Sequence, residues 1–161
     1  MATSNKLPGL PWFGGCQCGK IRYTVSEKPL VFYFCHCTEC QRHTSSAFGQ
    51  SLRVAASAVE VDGDVAITTR NSASGTIREG LFCPDCGVRL IHRSNGNPHY
   101  VNIKAGTLDD TSWLVPAGHI WMKSKQPWFE AAVEELVFET QPEGNYDALV
   151  DRWREMFPED Y

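Results

Sequence analysis

Seven cysteines in three tight clusters are the residues of this chain with the clearest capacity for chemistry. The clusters are a C-x-C pair, a C-x-C-x-x-C group and a C-x-x-C pair. Cysteines so close along the chain are poor loop-closing disulfides, but they can present several thiolates to one metal ion. Because seven is four plus three, the count favours one closed four-thiolate site and one three-thiolate site with an open position. The seven residues are Cys16, Cys18, Cys35, Cys37, Cys40, Cys83 and Cys86.

The outer pairs, Cys16 with Cys18 and Cys83 with Cys86, are each followed at once by glycine, which lets the backbone turn close to the sulfurs. Neither pair alone fills a tetrahedral zinc shell. Together they predict a structural Cys₄ zinc site that joins two distant parts of the sheet. Such a site would contribute on the order of 10 kcal/mol to folding. The alternatives are buried free thiols or a redox pair, which the double pairing disfavours.

The middle cluster, Cys35, Cys37 and Cys40, predicts a second and weaker zinc site. Cys35 and Cys37 lie two apart on a predicted strand, so their side chains point to one face. Three thiolates leave the fourth zinc position to water or a substrate thiol, which makes these cysteines catalytic candidates. The alternative is that they hold no metal. His36 should point away as a packed or exposed histidine. His43 is a further catalytic candidate, as a fourth ligand, a general acid or base, or, as we favour, a supporting neighbour.

Composition and charge limit the classes of function. The chain has 15 basic and 19 acidic residues, a formal charge of −4, and metal-bound thiolates would make it more negative. Nucleic acid is therefore an unlikely partner. There is no apolar run of roughly 18 to 20 residues, so no membrane span is expected. No signal peptide is visible at the start. A reducing compartment, by default the cytoplasm, is predicted, and there metal binding is favoured over disulfides.

The chain reads mainly as short strands separated by turns, which is typical of a sandwich or barrel-like pair of sheets. Residues 1–13 are expected to be an N-terminal arm, 14–128 the zinc-binding domain and 129–161 a helical extension of that domain. A short helical turn is expected over 37–45. Strands are predicted at 20–25, 30–35, 48–54, 65–69, 76–82, 88–92 and 100–104.

The C-terminal segment 146–157 has helical periodicity. The dipeptide Gly144-Asn145 would open this helix and Pro158 would follow its end. Its apolar face should pack on the sheet or on a second subunit, so a homo-oligomer is possible. The residues on this face are Leu149, Val150, Trp153, Met156 and Phe157.

The order of these motifs resembles the glutathione-dependent formaldehyde-activating enzyme family, which also includes centromere-protein-V-like proteins. The resemblance covers about residues 14–128, with all seven cysteines in order. It implies a β-tent of stacked antiparallel sheets clipped by zinc. It also implies one structural Zn²⁺ and a second, weaker, catalytic Zn²⁺. The matching motifs are Gly15-Cys16-x-Cys18-Gly19, Cys35-His36-Cys37-x-x-Cys40-Gln41-Arg42, Ser45-Ser46-Ala47-Phe48, Phe82-Cys83-Pro84-Asp85-Cys86-Gly87, Ala105–Asp110, and His119-Ile120-Trp121 through Ser124 and Trp128.

The activity that the resemblance implies is that of a carbon–sulfur lyase. It would form or cleave S-hydroxymethylglutathione, or act on a related thioether, with glutathione or its adduct as partner. The alternative is a non-catalytic, zinc-stabilised module for protein or chromatin interaction. A pure scaffold needs only the outer four cysteines, so the middle cluster favours chemistry.

Six residues are candidates for binding the substrate. A proton donor is also needed, for which Glu39, His43 and His119 are candidates. Glutathione carboxylates could pair with Arg42 or Lys123, or with Arg53, Lys104 or Lys125, although each of these cations is expected to be an ordinary solvated surface charge. The six substrate-binding candidates are Arg42, Ser45, Phe48, His119, Trp121 and Lys123.

Overall fold

The structure is a computed structural model that describes residues 5–72, 74–144 and 146–161. Strands dominate these ranges, and the α-helices are α1 (Thr38–Thr44) and α2 (Asp147–Met156). The predicted mainly β fold with two sheets and a C-terminal helix is confirmed. Over the described ranges, no helix combines the length and apolar character needed to cross a bilayer.

The strands are short, and each of the seven predicted from the sequence overlaps an observed one. Four further strands were not predicted: Trp12–Gly15, Val59–Asp62, Gly118–Ile120 and Leu136–Val137. Along the described residues the strands are β1 (Trp12–Gly15), β2 (Arg22–Val25), β3 (Val31–Cys35), β4 (Gly49–Ala55), β5 (Val59–Asp62), β6 (Ala66–Asn71), β7 (Ile77–Phe82), β8 (Arg89–Ser94), β9 (Tyr100–Ile103), β10 (Gly118–Ile120) and β11 (Leu136–Val137).

The chain forms two compact units that interleave along the sequence. The described part of the first unit is 5–8, 30–51, 113–144 and 146–161. That of the second unit is 9–29, 52–72 and 74–112. The three middle cysteines belong to the first unit and the four outer cysteines to the second.

The second unit is antiparallel throughout. Its smaller sheet has the strand order β1-β2-β5, and its larger sheet runs from the second half of β4 through β9, β8 and β7 to β6. Apolar side chains on the paired strands form much of the core. For example, Leu52 on β4 lies opposite Ile103 on β9, and neither side chain is exposed.

In the first unit the strand order is β11-β10-β3, followed by the first half of β4. β10 pairs in parallel with both β3 and β11, unlike the antiparallel arrangement expected from the sequence. Parallel neighbours need a long crossover connection, and β10 returns beside β3 only after the chain has formed the second unit. This pairing brings His119 opposite Phe34 and Ile120 opposite Cys35.

The apolar face of α2 is buried in the first unit. Leu149, Trp153 and Phe157 have no exposed surface, whereas Met156 is half-buried. The Trp153 ring packs edge-on against Phe32, with centroids 6.4 Å apart, and its indole N–H donates to the Tyr161 hydroxyl. The predicted helix and its buried face are therefore confirmed.

The two ends of this unit include residues on which predictions were made. The predicted helix opener includes Asn145, which lies outside the described residues, and α2 begins after Tyr146. Residues 1–4 of the predicted arm also lie outside them. Leu7 is buried and its N–H donates to Asp160 Oδ2 at 2.9 Å. β1 begins at Trp12, two residues before the predicted boundary, and the division into arm, domain and extension stays a prediction.

Two cations expected on the surface are buried, so that expectation was wrong. Arg53 and Lys104 are only 8% and 6% exposed. Arg53 lies on β4 opposite Asn102 of β9, which is also buried. Its guanidinium carbon lies 5.0 Å from the centroid of the Tyr100 ring, a cation–π arrangement.

Replacing Trp153 by alanine should destabilise the protein by about 3–5 kcal/mol, because the change leaves a cavity among Phe32, Phe157 and the rest of the core. Asp151→Ala on the exposed face of the same helix is the control and should cost little. Chemical denaturation of both variants measures the difference. Equal unfolding midpoints would contradict the burial of this face.

Candidate metal centres

The four outer cysteines converge in the second unit. Their sulfur atoms all lie within 4.8 Å of one another. The Sγ of Cys18 is 3.5 Å from that of Cys16 and 3.7 Å from that of Cys83. A tetrahedral Zn²⁺ with Zn–S bonds of about 2.3 Å would place its sulfurs roughly 3.8 Å apart. The four residues therefore fit a closed zinc shell.

Two matching turns position these sulfurs. The Cys16 N–H donates to the Ile21 carbonyl and the Cys83 N–H to the Val88 carbonyl, each at 3.0 Å. Within each turn a glycine follows the second cysteine with φ of +78°, a conformation that L side chains rarely adopt. The expectation of glycine-dependent turns beside the sulfurs is thus confirmed for both pairs.

The thiols of this cluster differ in charge, and the pKa of Cys16 and of Cys86 is lowered. At Cys18 a hydrogen bond from the Lys20 N–H lowers the pKa, but burial and the other cysteines outweigh it and raise that pKa to about 12. Burial raises the pKa of the Cys16 thiol, but hydrogen bonds from the Ile21 N–H and from the other cysteines outweigh it and lower that pKa to about 6. The thiolate is the form that binds metal. Beside the cluster, Lys20 Nζ lies 3.0 Å from Asp85 Oδ1, an exposed ion pair that joins the two turns. Its contribution to stability should be small, because both partners face solvent.

The middle cluster lies in the first unit, where β3 meets α1. The sulfurs of Cys35, Cys37 and Cys40 all lie within 4.8 Å of one another, and the group has no fourth member among the described residues. Cys37 is the N-cap of α1 and its sulfur accepts the Cys40 N–H at 3.4 Å. Cys35 and Cys40 are buried and Cys37 is half-buried. The three thiols thus converge without a fourth ligating side chain among the described residues.

The thiols of this cluster share charge unequally. Hydrogen bonds from Cys35 and then Cys40 lower the pKa of the Cys37 thiol. The same contacts, together with burial, raise the pKa of Cys35. The half-buried Cys37 is therefore the member that holds a thiolate most readily, and a cation would be needed before all three could ionise.

Two histidines lie beside this cluster. His36, expected to be packed or exposed, has no exposed surface, and its Nε2 lies 3.0 Å from Nδ1 of the buried His119. Burial, followed by the nearby His119 and Lys125, lowers the pKa of His36 to about 4, and burial also lowers the pKa of His119. Both shifts favour the neutral form of each ring. His43 is a half-buried residue of α1.

Three of the predicted substrate-binding residues line one groove of about 600 Å³ in the first unit. Arg42 and Ser45 are exposed at and just after the end of α1, and Phe48 is half-buried. Gln126 and Trp128 line the opposite part, and Trp128 is 68% exposed. The groove therefore combines a cation, hydroxyls and an open aromatic surface.

The other three predicted substrate-binding residues do not line this groove. His119 is buried on β10. Trp121 has a positive φ of 58° and donates its indole N–H to Gln141 Oε1, while Lys123 Nζ lies 5.0 Å from the centroid of the Trp121 ring. Lys125 donates to the Phe129 carbonyl. The roles of all the candidate site residues stay predictions.

Sequence reasoning missed two residues near the middle cluster, Phe129 and Glu135. The Phe129 ring packs on His36 with centroids 4.6 Å apart, and Glu135 Oε2 lies 3.3 Å from His119 Nε2. The only sequence signal was that an acidic, aromatic segment follows the last motif. The two-residue strand β11 that holds Glu135 near β10 is too short to show a period.

A sequence profile of the glutathione-dependent formaldehyde-activating enzyme family matches residues 12–124. This chain belongs to that family. Membership supports a glutathione-related, formaldehyde-activating function at the level of the family. The family match ends before Phe129 and Glu135, so these two residues come from the C-terminal segment beyond it.

One solved structure supports the fold. A crystal structure of a Rhodobacter sphaeroides protein aligns with 62% of this chain and 90% of its own, with a TM-score of 0.50 and 22% identity. At that identity the likeness supports the architecture alone. No curated protein matches the chain significantly.

Cys83→Ser should remove one ligand from the four-cysteine site, so the protein should lose bound zinc and cooperative thermal unfolding. Asp85→Asn, between the same two cysteines, is the control and should keep both. Metal analysis and a thermal melt of the two variants test this. A zinc-free wild-type protein that melts cooperatively would contradict a structural zinc.

Gly49→Ala should disturb the middle cluster. A Cβ at position 49 would lie 3.1 Å from Cys40 Cβ and 3.2 Å from its sulfur, closer than ordinary contacts. We expect the weaker of two Co²⁺-binding steps to lose about 10-fold in affinity, the scale found when groups beside metal ligands are altered. Gly9→Ala, where a Cβ meets nothing within 4 Å, is the control. The measurement is a Co²⁺ titration of the wild type and the two variants, followed by sulfur-to-cobalt absorption. Identical binding curves for the three proteins would refute the close contact.

Proposed function

We propose that this chain is a carbon–sulfur lyase that joins glutathione to formaldehyde, or cleaves that adduct or a related thioether, at the Cys35–Cys37–Cys40 cluster. The observation that carries the proposal is the convergence of three cysteine sulfurs, within 4.8 Å of one another, without a fourth ligand among the described residues. Three thiolates and one open position are the arrangement expected of a catalytic rather than a structural zinc site. Family membership supports the same chemistry.

The reaction needs a sulfur nucleophile and a proton donor for the aldehyde oxygen. In the forward direction the glutathione thiol adds to the aldehyde carbon: one S–C bond forms, the C=O π bond breaks, and the thiol proton ends on the new hydroxyl. A free thiol has a pKa near 8.5, so little thiolate is present at neutral pH. Zinc bound by the three cysteines would supply a Lewis acid that favours the thiolate of the substrate.

The chain's own residues hold the cluster rigid. Cys37 is the N-cap of α1 and accepts the Cys40 N–H, so the first turn of the helix fixes the distance between Cys37 and Cys40. The Gln41 side-chain amide donates to the carbonyls of His36 and Ser124, both at 2.8 Å, and so ties the turn between Cys35 and Cys40 to the segment after β10. This support keeps the open side of the cluster in one geometry, which lowers the entropic cost of reaction.

The groove beside α1 supports a carboxylate-bearing substrate. Arg42 is exposed at its edge and two residues from Cys40, and a guanidinium pairs well with carboxylates, of which glutathione has two. Ser45 and Gln126 offer polar contacts, while Trp128 offers an apolar surface. We propose that glutathione uses this groove, with Arg42, Ser45 and Phe48 as binding residues.

Cys37→Ser and Cys40→Ser should each abolish formation of S-hydroxymethylglutathione from glutathione and formaldehyde, while the fold survives. The reason is that the four-cysteine site, which should stabilise the fold, lies in the other unit and stays intact. Asp85→Asn provides a control that should keep full activity. Turnover and a thermal melt are measured on the same preparations.

Two results would overturn the proposal. A Cys37→Ser protein that unfolds as Cys83→Ser does would make the middle cluster structural. A variant that stays folded with full turnover would remove thiol chemistry from the cluster, and would favour a non-catalytic interaction module.

A further inference from the structure

Three polar side chains lie in a row inside the first unit: a hydrogen bond joins two imidazoles, and a carboxylate oxygen lies close to the second imidazole without meeting hydrogen-bond geometry. His36 Nε2 lies 3.0 Å from His119 Nδ1, and His119 Nε2 lies 3.3 Å from Glu135 Oε2. The same carboxylate oxygen accepts the Ala132 N–H at 2.7 Å, which orients Glu135 toward His119. The two imidazoles are buried, whereas the Glu135 side chain is 26% exposed.

Glu135 determines which nitrogen of each imidazole carries the proton. A neutral imidazole has one N–H and one lone pair, and a carboxylate only accepts. The carboxylate oxygen 3.3 Å from His119 Nε2 favours a proton over a lone pair on that nitrogen, which leaves Nδ1 of the neutral ring as an acceptor. His36 must then donate its own Nε2–H to that nitrogen. The lone pair that remains, on His36 Nδ1, is buried and has no hydrogen-bond partner within the described residues.

Aromatic rings surround the two imidazoles and limit the orientations that these imidazoles can adopt. Phe129 packs on both imidazoles, with centroids 4.6 Å from His36 and 5.1 Å from His119. Phe48 packs on His36 and Phe34 on His119, at 5.2 and 5.3 Å. A ring that turned over would lose its hydrogen bond with little water nearby to replace it.

The row of side chains from Glu135 through His119 leads to His36, which lies in the sequence between two of the clustered cysteines. His36 separates Cys35 from Cys37, and its backbone N–H donates to the Ile120 carbonyl at 3.0 Å. Because side chains alternate along an extended segment, fixing the His36 ring on one face also fixes the opposite direction taken by Cys35 and Cys37. The imidazole thus controls where two of the three sulfurs point.

We propose that Glu135 is a positioning residue for the Cys35–Cys37–Cys40 cluster and acts through the imidazoles of His119 and His36. The value of this positioning for catalysis rests on the function proposed above. Hydrogen bonds that orient metal-site residues commonly matter 10-fold to 100-fold, by the scale known for such partners. Glu135 and Phe129 also give the C-terminal segment a part in the site.

The test compares Glu135→Ala, Glu135→Gln and Glu134→Ala in the full chain. Glu135→Ala removes the acceptor, Glu135→Gln keeps an acceptor oxygen without the charge, and Glu134 is exposed and serves as the control. Glu135→Ala should lower kcat about 10-fold with little change in KM for glutathione. It should also shift the sulfur-to-cobalt absorption of the Co²⁺-loaded chain. Glu135→Gln should restore most of both, and Glu134→Ala should match the wild type.

A second measurement does not depend on activity. Nitrogen-15 NMR of the wild-type imidazoles should show protonated Nε2 and bare Nδ1 on both His36 and His119. Glu135→Ala should broaden or reverse that pattern. A protonated His119 Nδ1 in the wild type would overturn the proposal even if Glu135→Ala does not fold. An unchanged cobalt spectrum in a folded Glu135→Ala protein would also overturn it. If the protein lacks lyase activity but shows these tautomers and spectral shifts, the proposed lyase function is refuted and the positioning role of Glu135 is supported.

Discussion

The close approach of cysteine sulfurs, which repel one another as thiolates, is the physical constraint on which the rest of the structure depends. Seven cysteines lie in two groups, each with all its sulfurs within 4.8 Å. As thiols they gain little from that proximity, and as thiolates they repel one another unless a cation lies between them. The pKa is lowered at Cys16 and Cys37 but raised at Cys18 and Cys35, so the thiols within each group share charge unequally. The geometry of each group is compatible with one bound cation.

The two groups reach this arrangement by different routes. In the second unit, two similar turns, each with a left-handed glycine, supply two sulfurs apiece from distant strands. In the first unit, the end of β3 and the start of α1 supply all three sulfurs from six consecutive residues. The first arrangement closes a loop between remote parts of a unit, as a structural metal does. The second is local, so its geometry depends on the side chains and backbone that surround it.

The sequence predicted what depends on local pattern. Cysteine spacing identified both clusters, since C-x-C and C-x-x-C pairs place sulfurs together whatever the rest of the fold does. Helical periodicity identified the buried face of α2 around Trp153 for the same reason. By contrast, the pairing of β10 with β3 depends on a crossover of more than eighty residues. No local sequence pattern therefore predicts that His119 lies against His36. The burial of Arg53 was missed because a central strand buries polar positions as well as apolar ones.

The interleaving of the two units sets an order on synthesis. Because a chain emerges from its N-terminus, every segment of the second unit is available once residue 112 has been made. The first unit needs residues 113–161 as well, including β10, β11 and α2. Cys35, Cys37 and Cys40 are thus among the earlier residues to be made, yet their surroundings are among the last. During that interval the growing chain carries three accessible thiols whose supporting histidine and carboxylate have still to be translated.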